Sequence, residues 1–131
     1  MALEVHLVTP EREVWGGAAQ MVIARGTDGM VGILPGHAPL LIRLAIGPLR
    51  IQDEAGNWQE GVVDGGFLHV TSHEEATRVD VLATGAELES EVDRQAAEAR
   101  VAELQARLAE GDDAAVRTEL AKALARAGLG G

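Results

Sequence analysis

The sequence predicts an α+β chain ordered by segments: an N-terminal β-sandwich followed by a C-terminal antiparallel α-helical hairpin. Three observations carry this. All four prolines and twelve of the sixteen glycines lie in residues 1–85, whereas residues 86–131 hold thirteen alanines and no proline. Apolar residues of the first part alternate with polar ones, the period of a half-buried strand, while those of the second part recur at helical spacing. The apolar runs of the first part are short and bounded by Gly, Asp, Asn and Ser, the residues that tolerate turn geometry. The boundary falls near "ATGAELES", giving a strand domain over 1–85 and a helical domain over 86–131.

Leu3, Val5 and Leu7 alternate with Glu4 and His6 and predict the first strand. Further strands are expected at "AAQMVIAR", "LLIRLAI", "LRIQ", "WQEGVV", "FLHVT" and "TRVDVLA". Between them "GTDG", "DEAGN" and "SHEE" supply turns, and "VVDGGFLHV" reads as a hairpin reversed by Asp64-Gly65-Gly66. Seven or more short strands at this spacing predict a sandwich or a flattened barrel.

Past the boundary, Ser90 and Asp93 form a candidate capping box, and Ala97, Val101, Leu104 and Leu108 follow at helical spacing, predicting a helix over about 90–110. Gly111 ends it. Asp112 or Asp113 caps a second helix striped by Val116, Leu120, Ala123, Leu124 and Ala127. A connection this short folds the pair back antiparallel. A buried Leu or Val contributes roughly 1.5–3 kcal/mol, and this stripe is mostly alanine, so the hairpin is marginal by itself.

Composition excludes several functions. The 131 residues suit one ordinary domain, or one small domain plus an appendage. A formal net charge of −10 disfavours nucleic acid, which needs clustered Lys and Arg, and favours protein partners. Without cysteine there is no disulfide, thiolate metal site or thiol nucleophile. No stretch matches an export signal or a bilayer-spanning helix; "PLLIRLAIG" is too short and carries Arg43. The only lysine, Lys122, follows no glycine loop, and neither Ser72 nor Ser90 sits in a nucleophile elbow. No catalytic residue, cofactor or resident metal is expected.

His69 and His73 are four apart, roughly 13 Å on a strand and too far for shared ligation unless a turn intervenes. They read as strand-end residues, with a metal pair as the sharper alternative. His6 falls on the polar face of the first strand. The acidic runs "ELESEVD" and "EGDD" read as solvated helix starts. His37 differs because it stands in "GILPGHAPLL", an apolar run interrupted by Pro35, Gly36 and Pro39. Two prolines remove ladder donors and Gly36 is free to take positive φ, so a sharp corner is predicted. His37 either fixes that corner through a local hydrogen bond or presents it to a partner.

These residues resemble the epsilon subunit of bacterial F-type ATP synthase, called delta in mitochondria. The most specific match is "GTDGMVGILPGHAPLL"; "VTPEREVWGG", "VDGGFLHVT", "VDVLATGAE" and "ELAKAL" follow family order across essentially the whole chain. The resemblance implies a β-sandwich of about ten strands and a regulatory helical hairpin. It also implies a non-catalytic rotor subunit, a monomer in isolation and one copy per complex, peripheral to the cytoplasmic face of the plasma membrane. Its partners would be the gamma subunit, the c-ring and the alpha/beta hexamer. Asp28, Gly29, Met30, Val31, Gly32, Pro35, Gly36 and His37 would form the foot touching gamma and the c-ring. The hairpin would either lie folded on the sandwich or extend toward the hexamer and suppress ATP hydrolysis.

Some members bind ATP in the folded hairpin through an I/L-D-x-x-R-A motif. Here "VDRQAA" keeps Asp93 and Ala97 but has Ala96 for the arginine; Glu103 replaces a second arginine, Arg126 matches a third, and Gly130 stands at a fourth position. A degenerate site made of Asp93 and Arg126 with weak or no ATP affinity is expected. Residues 86–131 carry six basic and ten acidic residues and lack the longer basic tail of some members, so a weak brake is expected. Two other classes fit the sequence less well: a peptide- or sugar-binding sandwich, disfavoured by two Trp and no Tyr, and a jelly-roll metalloenzyme, for which convergent ligands are missing.

Overall fold

Residues 2–129 are described by a computed structural model of the chain. Seven strands come first: β1 (Leu3–Val8), β2 (Glu13–Gly26), β3 (Gly29–Ile33), β4 (Leu40–Asp53), β5 (Trp58–His73), β6 (Ala76–Ala83) and β7 (Ala86–Leu88). A 3-10 turn over Glu89–Glu91 leads to α1 (Arg94–Glu110) and α2 (Ala114–Ala127).

The strands follow the order β1-β6-β5-β4-β2-β3, with β7 also on β5. β1 pairs parallel with β6 and antiparallel with β2, which closes the path on itself. β2 and β5 each serve two neighbours along one edge: β2 pairs with β1 through Glu13–Ala19 and with β3 through Val22–Gly26. Likewise β5 pairs with β7 through Gly61–Val63 and with β6 from Gly66 onward. The long strands thus pass from one layer of a flattened, closed sandwich to the other. Seven strands stand where about ten were expected, because β2, β4 and β5 are long and continuous.

The expected hairpin at Asp64-Gly65-Gly66 is a correction. β5 runs through it without a break, held by β4 on both sides, Ile46 opposite Asp64 and Leu44 opposite Gly66. The glycines serve a bend. Gly65 and Gly66 take φ of 87° and 129°, and a Cβ at Gly66 would overlap the carbonyl oxygen of Leu82 on β6. "LLIRLAI" and "LRIQ" likewise form one strand, β4, through Gly47 and Pro48. Against β2 the register slips between Ala24–Leu49 and Gly26–Leu44, so Pro48 falls in a bulge and no ladder bond with β2 is asked of it.

Alternation gives the sandwich its core. Leu3, Val5 and Leu7 of β1, Leu68 and Val70 of β5, and Val79 and Val81 of β6 are all at most 1% exposed. The helices make a separate cluster of Leu104, Val116 and Ala123, flanked by Val101, Leu108 and Leu120. Their caps agree only partly with expectation. Asp93, not Ser90, is the N-cap of α1, its carboxylate accepting from Ala96 N at 3.0 Å, and the helix begins at Arg94 instead of about 90. Asp113 caps α2, accepting from Ala115 N at 2.8 Å. The strand part also extends beyond Gly85, because β7 pairs with β5 before the helical part starts.

Candidate functional site

The corner at Pro35-Gly36 is a tight turn. His37 N donates to Leu34 O at 3.1 Å and Gly36 takes φ 86°, the type II arrangement with proline second and glycine third. Neighbouring elements fix it: Gly36 N donates to the Thr77 hydroxyl at 2.8 Å, and the Ser72 hydroxyl donates to His37 O at 3.1 Å. The His37 ring Nδ1 lies 2.6 Å from Ala38 O, so this histidine makes the local bond that was one of its two readings. Thr77 is 3% exposed and anchors the turn from β6.

β3 leads into this corner, and it pairs with β2 alone. Asp28, Gly29, Met30 and Val31 line a groove of about 310 Å³ with Leu41 and Arg43. Pro35, Gly36 and His37 lie at the far end of the same edge strand, beside Ser72 and Thr77. The expected foot residues therefore form one strip along an edge, not one cluster. Met30, Leu34 and Leu41 are 56%, 55% and 64% exposed along it. Leu34 and Leu41 share this strip although they were not among the expected residues. The signal was present, since both stand in the interrupted apolar run, but their outward aim depends on strand register.

On the hairpin, Asp93 is engaged as the α1 cap, Ala96 is exposed, and Glu103 bonds Arg100 at 2.9 Å. Gly130 lies outside the described residues. Arg126 reaches across to the sandwich. Its Nη1 and Nη2 donate to the two carboxylate oxygens of Asp64 at 2.8 and 2.9 Å, and its Nε donates to Glu87 at 2.6 Å. The hydrogen-bonded Asp64 carboxylate, then Glu87, raises the Arg126 pKa further above its ordinary value, so it stays charged. Asp93 and Arg126 are not brought together by any hydrogen bond; each has its own structural partner.

The other histidines occupy ordinary positions. His69 and His73 are exposed on β5, and no group of three ligating side chains occurs among the described residues. His6 is more engaged than expected, its ring nitrogens 2.8 Å from both Glu4 and Glu13. Those hydrogen bonds, Glu4 first, raise its pKa above 6.5. Arg12, between β1 and β2, meets Glu91 of the 3-10 turn at 2.8 Å, and that guanidinium with the Leu88 N–H holds the Glu91 carboxyl below its usual range. No described helix is long and apolar enough to cross a membrane.

Residues 2–89 match the family model described as the ATP synthase delta/epsilon chain, beta-sandwich domain. The chain belongs to this family. An ATP synthase epsilon chain from Desulforudis audaxviator is 47% identical over 109 residues, covering 83% of this chain and 76% of the relative. One from Streptomyces coelicolor is 38% identical over 130 residues, covering 98% and 99%. Among solved structures, a chain of the Euglena gracilis mitochondrial ATP synthase complex of OSCP, F1 and c-ring aligns with a TM-score of 0.76 at 26% identity, over 94% of this chain and 75% of that one. The family is a non-catalytic central-stalk subunit of the membrane-associated ATP synthase, and the sandwich and hairpin described above are its fold.

Proposed function

We propose that this chain is the rotor subunit at the foot of the central stalk, coupling proton flow to ATP synthesis. The β3 edge and the Pro35–His37 corner are its contact with gamma and with the polar loops of the c-ring. The observation that carries this is the exposed apolar strip of Met30, Leu34 and Leu41 beside the β3 edge, which ends in a corner fixed by Thr77 and Ser72. Side chains this large and this exposed are explained by a partner. In the complex the chain sits as a single copy at the cytoplasmic face of the bacterial plasma membrane, peripheral to it.

The hairpin acts as a weak brake on ATP hydrolysis by the alpha/beta hexamer, and nucleotide does not control it. Arg126, which the resemblance offers to phosphate, is already held by two carboxylates, and the other positions carry Ala96 and Glu103. Displacing Asp64 and Glu87 would forfeit charge-assisted hydrogen bonds of roughly 1.5–3 kcal/mol each. Calorimetric titration with ATP should give no binding; a micromolar affinity overturns this part.

The foot is tested by reconstitution with cognate gamma and c-ring. Met30→Asp together with His37→Asp places charge on the strip and should weaken assembly at least tenfold, while circular dichroism of the free subunit stays unchanged. Equal assembly would place the foot elsewhere. The brake is tested by removing residues after Glu91, a cut that spares β7, and comparing hydrolysis rates of the assembled complex.

A further inference from the structure

Among the described residues, Arg126 supplies every side-chain hydrogen bond from the two helices to the sandwich, beside an apolar contact where the buried Leu129 shares a cleft with Ile46 and Pro48. The two apolar cores share no residue: Leu104, Val116 and Ala123 form one, and the β1–β7 residues the other. Where α2 faces β4, a cleft of about 410 Å³ is lined by Ile46 and Pro48 on one side and by Leu124, Ala125 and the buried Leu129 on the other, and Leu124 remains 49% exposed. Against this loose packing stands Arg126, with a side chain 18% exposed, gripping Asp64, 12% exposed, with both terminal nitrogens and Glu87 with Nε.

The sheet is built to present these carboxylates together. Asp64 and Glu87 come from the adjacent strands β5 and β7, whose register puts Glu87 opposite Val62. Val62 is fully buried, shares the sheet face of Asp64 by alternation, and is outside the sandwich core cluster. Asp64 N donates to Gly85 O at 2.8 Å, and a Cβ at Gly85 would lie 2.7 Å from Asp64 Oδ2. A side chain at position 85 would therefore push the carboxylate out of its present place.

From this geometry we propose that Arg126, Asp64 and Glu87 form an electrostatic latch that holds the helical hairpin docked, and that its release lets the hairpin move without breaking either apolar core. The helices travel as a pair, because Arg94 Nε donates to Ala127 O at 3.1 Å and their own core is intact. The turn about which they move lies at Val92 and Asp93, since Glu91 is pinned to the sandwich side by Arg12 and Leu88. The latch concerns the docked position of the hairpin; only its physiological consequence rests on the stalk reading.

The absence of cysteine lets two be introduced for spin labels, at Ala55 in the β4–β5 turn and Ala106 on the exposed side of α1, in the full chain. Pulsed dipolar spectroscopy should give one dominant short distance in the parent. Arg126→Met should raise the ratio of undocked to docked chains about tenfold or more, the loss of charge-assisted bonds to two carboxylates. Asp64→Asn should do the same, and adding Arg126→Met to it should add much less than either change alone. Gly85→Ala should shift the ratio the same way with no change in charge. An unchanged distance distribution in Arg126→Met overturns the latch. So does a loss of helical circular dichroism in that variant, because Arg126 would then hold the helices folded and not merely docked. Neither result bears on whether the foot binds the c-ring, and a missing brake in the assembled complex does not bear on the latch.

Discussion

In the sandwich, Leu68, Val70, Val79 and Val81 are completely enclosed, and every long strand has partners on both edges. In the hairpin, Leu104 alone is completely enclosed; Val116 and Ala123 complete its core at 8% and 5% exposure. Each large buried side chain contributes roughly 1.5–3 kcal/mol, so the first region has many such contributions and the second few. The difference teaches that the two regions respond to different perturbations: packing and backbone geometry decide whether the sandwich exists, whereas caps, helix propensity and one ion cluster decide where the hairpin sits. The proposed contact surface rests on the first kind of stability, and the proposed movement of the hairpin on the second.

The sharpest way to break the comparison is at the β5 bend. Gly66→Ala forces a Cβ onto the Leu82 carbonyl at a φ of 129°, and neither backbone can retreat without opening the β5–β6 ladder. The expected destabilisation is about 3 kcal/mol or more, with loss of the whole sandwich transition. Thermal unfolding followed in the far ultraviolet measures it, and a loss under 1 kcal/mol would mean that the bend relaxes freely. The corresponding hairpin change is Leu104→Ala, a cavity in a core of three residues, which should remove about 2–5 kcal/mol from the hairpin alone. Helical signal should fall while the strand transition keeps its midpoint. A shared fall in both would show that the two cores act as one.

Much of this architecture was legible in the sequence, and the failures have a common cause. Alternation located β1 correctly because Leu3, Val5 and Leu7 point inward whatever their partners are. Gly111 and the pair Asp112-Asp113 located the interhelical connection because caps are local, and the structure selects Asp113. Asp64-Gly65-Gly66 and Gly47-Pro48 misled because the same residues make reversals and bends, and only the partner strand decides between them. The Pro35–His37 segment was visible as a sharp corner, but not the exposure of Leu34 and Leu41, which register sets. The latch lay out of reach: Arg126 is 62 residues from Asp64 and 39 from Glu87, and nothing in the local pattern of either partner marks it.

The smallest effect sharpens the comparison through pH. His6 on β1 bridges Glu4 of its own strand and Glu13 of β2, beside Arg78, which bonds Glu4 at 2.9 Å, and Asp80 of β6. Its folded pKa is raised above 6.5 by the two carboxylates, against the opposing influence of burial and of Arg78. A raised histidine stabilises the fold fully below its unfolded pKa and loses that contribution as pH rises through the folded value. The sandwich should therefore lose at most about 1 kcal/mol between pH 6 and 8.5, since the network is largely solvent-facing. His6→Gln should flatten this slope without moving the hairpin, whose ties run through Arg126 and Arg12 to other carboxylates. A pH slope in hairpin docking that vanished with His6→Gln would instead couple the two regions through the β1–β2 seam, and the division between a fixed body and a latched arm would fail.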